Sequence, residues 1–200
     1  MAKIVNIPME TVRDNSFRLA KVLVDAGIFP TVIYAVARGG SYVANPISEY
    51  YKYIGREMKY GVVNAYSYKG INEQSRVVVE GWVPSLDKLS GDDRILIVDD
   101  VIDNRKTIDA LLKDLERNSV LRRNLREPLR QRKVLIVSHD LKLRYDIEDK
   151  PNTRPDFFSN IWFVRNKDEA IWFNYLSHEM VGLTPTQVKE NYSLDVKEKA

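Results

Sequence analysis

The run RILIVDDVIDNRKTI, Arg94 to Ile108, changes character twice within one short stretch. Ile95 to Val98 are apolar and β-branched-rich, the pattern of a buried strand. Asp99 and Asp100 close that strand, and Asp103 follows in the turn. The segment RKTIDALLKDLERN then carries the spacing of a helix. A strand entering a helix through a polar turn is the repeating unit of open α/β sheets, whose ligands bind beyond the carboxyl ends of the strands. Two adjacent carboxylates at such an end accept hydrogen bonds from a diol or approach a hard cation such as Mg²⁺. The first amides of the helix lack internal partners and carry partial positive charge. The turn Asp103-Asn104-Arg105-Lys106-Thr107 therefore suits a phosphate, with the Thr107 hydroxyl and the Lys106 charge as further partners. Diol-binding acids just before a phosphate cradle describe a ribose 5-phosphate site. The plainer alternative is that Asp103 caps the helix while Asp99 and Asp100 are solvated. A receiver-type phosphoacceptor domain fits less well, because its acidic pair follows the first strand. The pattern GxxxxGK[ST] of a P-loop is absent.

Working outward, apolar strands alternate with helical stripes. Val12, Leu19, Val22, Leu23 and Ala26 form a stripe ended by Gly27. TVIYAV (Thr31 to Val36) reads as a buried strand, followed by ARGG and by a stripe of Val43, Ala44, Ile47, Tyr50 and Tyr51 up to Gly55. GVVNAYSY and SRVVVEGW read as strands separated by the polar loop KGINEQ. KVLIVS (Lys133 to Ser138), IWFV and IWFNY are the later strands. Thr184 and Pro185 start a short last helix, and the tail 192–200 is expected to fray. The pattern predicts an α/β fold, a parallel-rich twisted sheet with helices on both faces, in a single domain spanning 1–200.

Composition narrows the class. A 44% hydrophobic chain of 200 residues buries one sizeable core. A net charge of +3 suits an anionic ligand and is weak for nucleic acid. The Arg-rich run from Arg117 to Arg132 has no interleaved aromatics for base stacking, so it reads as a solvated surface extension or a subunit contact. The absence of cysteine excludes disulfides and thiolate metal sites. With no secretory pattern at the N-terminus and no apolar run of membrane length, the expectation is a soluble cytoplasmic protein.

ILIVDDVIDNRKT resembles the signature of the type I phosphoribosyltransferases, in which a strand ending in two acids runs into Asp-Thr-Gly-Lys-Thr. VIYAVARGGSYVANPISEYY resembles the same family's strand, pyrophosphate loop and helix, in the right order and at about the right distance. The likeness covers most of Thr31 to Tyr175. The family's loop Gly is Arg105 here, and a non-Gly residue at positive φ carries strain of about 1 kcal/mol or more. Fungal-type hypoxanthine-guanine members have Asp-Thr-Arg-Thr-Thr at this point, so Arg105 is similar to a subgroup trait. IVSHDLK resembles that subgroup's LHDK strand end, and DEAIWFNYLSHE loosely resembles its DKWYAYPWE.

The resemblance implies transfer of ribose 5-phosphate from phosphoribosyl pyrophosphate (PRPP) to a 6-oxopurine, namely hypoxanthine, guanine or xanthine. It implies a core over about 28–165 and a small hood from the N-terminal and late aromatic segments. Arg38, Gly39 and Gly40 would hold pyrophosphate, after a cis peptide preceding Arg38. Asp99 and Asp100 would face the ribose hydroxyls and Mg²⁺, and Asn104, Arg105, Lys106 and Thr107 the 5-phosphate. Asp103 would be the general base at purine N7. Ser67, Tyr68 and Lys69 match the family's closing loop. In direct register the family's stacking Trp falls on Ala170, which leaves Trp172 or Phe173 for the base. Its 6-oxo-binding Lys falls on Ser138 or His139, with Lys142 just beyond. His139 itself reads as structural. Trp162 and Trp172 have a core role as the alternative. Members of the family pair, so a homodimer or homotetramer is expected, with Tyr50, Tyr51 and Tyr53 as a candidate surface. The rival functions are a non-catalytic PRPP- or nucleotide-binding regulator of the same fold and a phosphoribosyltransferase for another base. Retention of Asp103 favours the enzyme.

Overall fold

The computed structural model describes residues 3–68, 76–103, 105–118, 126–145, 154–166, 171–175 and 184–193. In chain order the elements are β1 (Lys3–Asn6), α1 (Met9–Asp25), β2 (Val32–Ala37), α2 (Gly40–Tyr53), β3 (Lys59–Tyr68), β4 (Arg76–Val83), β5 (Ile95–Ile102), α3 (Lys106–Asn118), β6 (Val134–Arg144), β7 (Phe157–Val164), β8 (Ile171–Asn174) and α4 (Pro185–Tyr192). Thr184 caps α4 through a capping box with Gln187, with Pro185 at the first position as its sequence predicts.

The main sheet has the order β4-β3-β2-β5-β6-β7 and is parallel except for β4, which runs antiparallel to β3. From β2 the chain builds outward to β3 and β4, then returns to place β5 on the other side of β2. The crevice between the carboxyl ends of β2 and β5 is thus the topological switch point, where open α/β sheets bind their ligands. ARGG follows the end of β2 and the run from Asp103 follows the end of β5.

Both faces are covered. Leu19, Leu23, Val43, Ala44 and Ile47 of α1 and α2 pack on Ile33, Ala35, Leu96 and Val98. Ile108, Leu111 and Leu115 of α3 pack on Tyr34, Ile95, Ile97 and Ile136. β2 is buried along nearly its whole length because helices cover both its faces. β1 pairs in parallel with β8 as a separate small sheet, bringing the start of the chain beside its late aromatic segment.

Several expectations need correction. Val22 lies on the exposed side of α1 and Ala26 is its exposed C-cap, whereas the buried face is Val12, Ser16, Leu19, Ala20 and Leu23. β5 does not stop at the acids but continues to Ile102, and β6 continues from Ser138 to Arg144. Each extension is paired on its flank, Val101 with Asp140 and Lys142 with Trp162, so the polar residues are held as strand by non-local partners. Arg132 is not a solvated residue. Its guanidinium pairs with Asp156 at 2.5 Å and its Nε donates to the Glu127 carbonyl at 2.9 Å. Asp156 also accepts from the Ile136 amide, which fastens the start of β7 to β6. Among the described residues, no helix is long and apolar enough to cross a membrane.

Candidate functional site

The buried residues Ile95 to Val98 hold the end of β5 rigidly in the sheet. Val98 and Val101 pack on the same side, against the α1 and α2 cluster, whereas Ile97 and Ile102 pack on the α3 side. The strand's period of two is therefore broken at Asp99-Asp100. The Asp100 amide donates to Asp99 Oδ1 at 2.9 Å, and the Val101 amide donates to Asp100 Oδ1 at 2.8 Å. Asp99 is buried and Asp100 only partly so. Burial, followed by the neighbouring negative charge of Asp100, raises the Asp99 carboxyl well above the ordinary carboxylate range.

α2 starts directly against this pair. A Cβ on Gly39 would lie 1.9 Å from Asp100 Oδ2, and one on Gly40 would lie 2.4 Å from the Val98 carbonyl oxygen. The two glycines thus let one loop close upon the other, so that Ala37–Gly40 and the acids form a single site. The Ala37–Arg38 peptide is cis, as the family resemblance implies.

In the turn after β5, Arg105 takes φ 62°, the left-handed conformation in which a family Gly would be unstrained. Its carbonyl accepts from the Asp109 amide at 2.9 Å, so α3 winds directly out of the turn. Burial and then the charge of Arg154 lower the Arg105 guanidinium below its ordinary value, while Asp109 opposes them. Arg154 thus acts on this turn from the segment before β7, far away in sequence. Lys106 is exposed and Thr107 half-buried, while Ile108 anchors the helix in the core. Asn104 and Lys69 lie outside the described residues. Ser67 and Tyr68 end β3, and their side chains lie outside the described set.

Asp103 receives two cations from β6: Lys142 Nζ lies 3.2 Å from Oδ2, and Arg144 Nη1 lies 3.1 Å from Oδ1. The Lys142 ammonium also lies 4.9 Å from the centre of the Phe173 ring. Phe173 is buried against Trp162, at 5.2 Å between ring centres, and against Tyr175. Trp172, its neighbour on β8, is 54% exposed. Of the residues expected around the base, Lys142 touches both Asp103 and the Phe173 ring.

A buried polar network lies beneath. Asp140 accepts from His139 Nδ1 at 2.7 Å, from Trp162 Nε1 at 2.7 Å, and from the Tyr175 hydroxyl. His139 Nε2 lies 3.1 Å from Asn15 Nδ2 on α1, and the Tyr175 hydroxyl lies 3.2 Å from the Asp100 carbonyl oxygen. Burial opposes the Asp140 charge, but these donors outweigh it and hold the carboxyl below its ordinary value. Burial and the Asp140 carboxylate raise the Tyr175 phenol, so it remains a donor. His139 is fully buried in this network, away from solvent. Arg144 and Arg154 stand in no local motif, while Asp140 and Tyr175 stand within IVSHDLK and IWFNY, which by themselves assign them no role.

Among the described residues no group of three or more His, Cys, Asp and Glu side chains is arranged to hold a metal. The donor set still fits Mg²⁺ bound jointly with a substrate. Such an ion takes one or two carboxylates, keeps several waters and completes its shell with phosphate oxygens, and Asp100 and Asp99 offer that pair.

No protein-family model and no curated protein sequence matches the chain. Solved structures do. Purine phosphoribosyltransferase from Pyrococcus horikoshii is 23% identical at TM-score 0.57, over 85% of this chain and 91% of that one. Xanthine-guanine-hypoxanthine phosphoribosyltransferase from Helicobacter pylori is 19% identical at TM-score 0.58, over 85% and 92%. A hypothetical protein from Neisseria gonorrhoeae, with ppGpp bound, is 18% identical at TM-score 0.57, over 88% and 89%. The chain has the α/β fold of the type I phosphoribosyltransferases.

Proposed function

We propose that this protein is a purine phosphoribosyltransferase that moves ribose 5-phosphate from PRPP to a 6-oxopurine, releasing pyrophosphate. The observation that carries the reading is the contact of Gly39 and Gly40 with the end of β5, which joins a cis-peptide loop, a diacid and a phosphate turn at the switch point. In this reading the Ala37–Gly40 loop and Arg38 hold pyrophosphate. Asp99 and Asp100 hold the ribose hydroxyls and Mg²⁺. The metal, when bound, supplies charge neutralisation to the leaving group. The turn Asn104–Thr107 holds the 5-phosphate. Ser67 and Tyr68, at the end of β3, and Lys69 belong to the segment to which this reading assigns the exclusion of water from the reacting centre.

Purine N9 bonds to ribose C1 as the C1–O bond to pyrophosphate breaks, and the bonding pair leaves with pyrophosphate. The proton on N7 passes to Asp103. Lys142 donates to the 6-oxo group, and Phe173 or Trp172 borders the base. The protein works in the cytoplasm as a homodimer or homotetramer.

The test is nucleotide formation from PRPP, Mg²⁺ and a panel of purine bases, with Asp103→Asn alongside. Turnover with a 6-oxopurine is expected, and the variant should lose about 10²-fold or more in kcat. No product with any such base sinks the reading, and an unimpaired variant sinks the assigned base. A second reading, a nucleotide-binding regulator of the same fold, is favoured by the ppGpp held in the Neisseria gonorrhoeae protein. Tight ppGpp binding without turnover would select it.

A further inference from the structure

We propose that Arg144 is a positioning residue for Asp103, which keeps one carboxylate oxygen tethered while Lys142 leaves the other for the 6-oxo group of the base. The inference rests on the phosphoribosyltransferase reading above and adds to it a residue that no motif supplies.

The geometry divides the carboxylate between two donors of different kinds. Oδ2 faces Lys142 and Oδ1 faces Arg144. The two cations stand two residues apart on β6, so one strand projects both to the same side. Lys142 has a compact ammonium on a flexible stem, already lying over the Phe173 ring, and it exchanges acceptors easily. Arg144 presents a planar fork of fixed geometry and is the better tether. A carbonyl acceptor on the base draws Lys142 from Oδ2 at small cost, because one acceptor replaces another. Oδ2 is then vacated next to the base and can receive the N7 proton, while the electron pair of that N–H bond stays in the purine ring. Without Arg144 the carboxylate would swing about χ1 and χ2 once Lys142 had left, and proton transfer is sensitive to such misplacement.

The arrangement also makes the base conditional. Asp103 is covered by Lys142 until a ligand with a carbonyl in the right place uncovers it. A 6-aminopurine offers a donor there instead, leaves Lys142 on Oδ2, and fails to present the carboxylate.

The experiment measures kcat and the base KM for the full-length wild type, Arg144→Gln, Arg144→Lys, Asp103→Asn and the double variant Asp103→Asn/Arg144→Gln, with thermal denaturation of each. Arg144→Gln is expected to lose about tenfold in kcat with the base KM within about twofold. Arg144→Lys should recover part of that loss. In the Asp103→Asn background, Arg144→Gln should cost no further kcat, because the tethered group is gone. A purely structural role would lower thermal stability equally in both backgrounds and leave kcat of the folded protein intact. An Arg144→Gln kcat within about twofold of wild type overturns the inference alone, as does an additive loss in the double variant. If Arg144→Gln does not stay folded, Arg144→Lys decides, and a wild-type kcat in it overturns the fork-like tether. A wild type that makes no nucleotide overturns both this inference and the reading beneath it.

Discussion

Asp99 and Asp140 are both buried aspartates near the carboxyl ends of neighbouring central strands, β5 and β6, yet the structure treats them oppositely. Asp99 lies beside a second carboxylate and accepts one amide from its own chain neighbour, and burial drives its carboxyl toward the protonated form. Asp140 collects an imidazole, an indole and a phenol, which hold it ionised despite the same burial. Burial alone decides neither outcome. The number of donors facing the carboxylate does. The two ends therefore differ in what holds their acids: those of β5 accept the amides that follow them, whereas the acid of β6 joins α1, β7 and Tyr175 to the sheet.

The contrast can be broken most severely at Asp140. Asp140→Ala takes the acceptor from the Trp162 and His139 donors and leaves the Tyr175 hydroxyl only the Asp100 carbonyl, and each stranded buried donor costs about 1–3 kcal/mol. Chemical denaturation should show a loss of about 3 kcal/mol or more. A loss below 1 kcal/mol would mean that the network is not a fastening. Next in size is Gly40→Ala, whose Cβ would meet the Val98 carbonyl oxygen. The expected destabilisation is about 1–3 kcal/mol, with loss of PRPP affinity as α2 moves off β5. An unchanged midpoint would show that the loop has slack.

The smallest effect, and the one with the opposite sign, belongs to Asp99→Asn. A carboxyl whose folded pKa is raised weakens the fold as pH climbs above its ordinary value of 3.8, because the unfolded chain ionises more readily. Asparagine cannot ionise, so the variant should melt higher than wild type near neutral pH and lose that advantage below about 3.8. Asp140 runs the other way. Its lowered folded pKa means that its contribution is present above 3.8 and is lost as pH falls through the folded value. Melting curves across this range would separate the two, and a neutral-pH gain absent from Asp99→Asn would contradict the assigned cause.

Legibility followed chain distance. The acids, the turn after β5 and the two glycines stand in contiguous runs, and a resemblance to known motifs could be drawn from each run separately. The left-handed Arg105 could be anticipated from the family's Gly at that position and is observed at φ 62°. The strand KVLIVS was readable only to Ser138, because HDLKLR carries charges that a local reading assigns to a loop. Those charges are acceptable in a strand only because Asp103, Tyr175 and Trp162 arrive from elsewhere to partner them. The exposed Val22 was misplaced for a simpler reason, since a helical stripe read at coarse spacing can be one residue too wide.

The amino-acid order by itself determined the alternation of strands and helices, the acidic end of β5 and the glycines that admit its neighbour, because periodicity, β-branching and the lack of a Cβ act within a few residues. Only the tertiary structure decided which buried acid has its carboxyl raised and which lowered, which cations reach Asp103, and that the two motifs share one crevice. Those outcomes depend on burial and on charges brought together from distant parts of the chain, which strand order sets and no local pattern encodes.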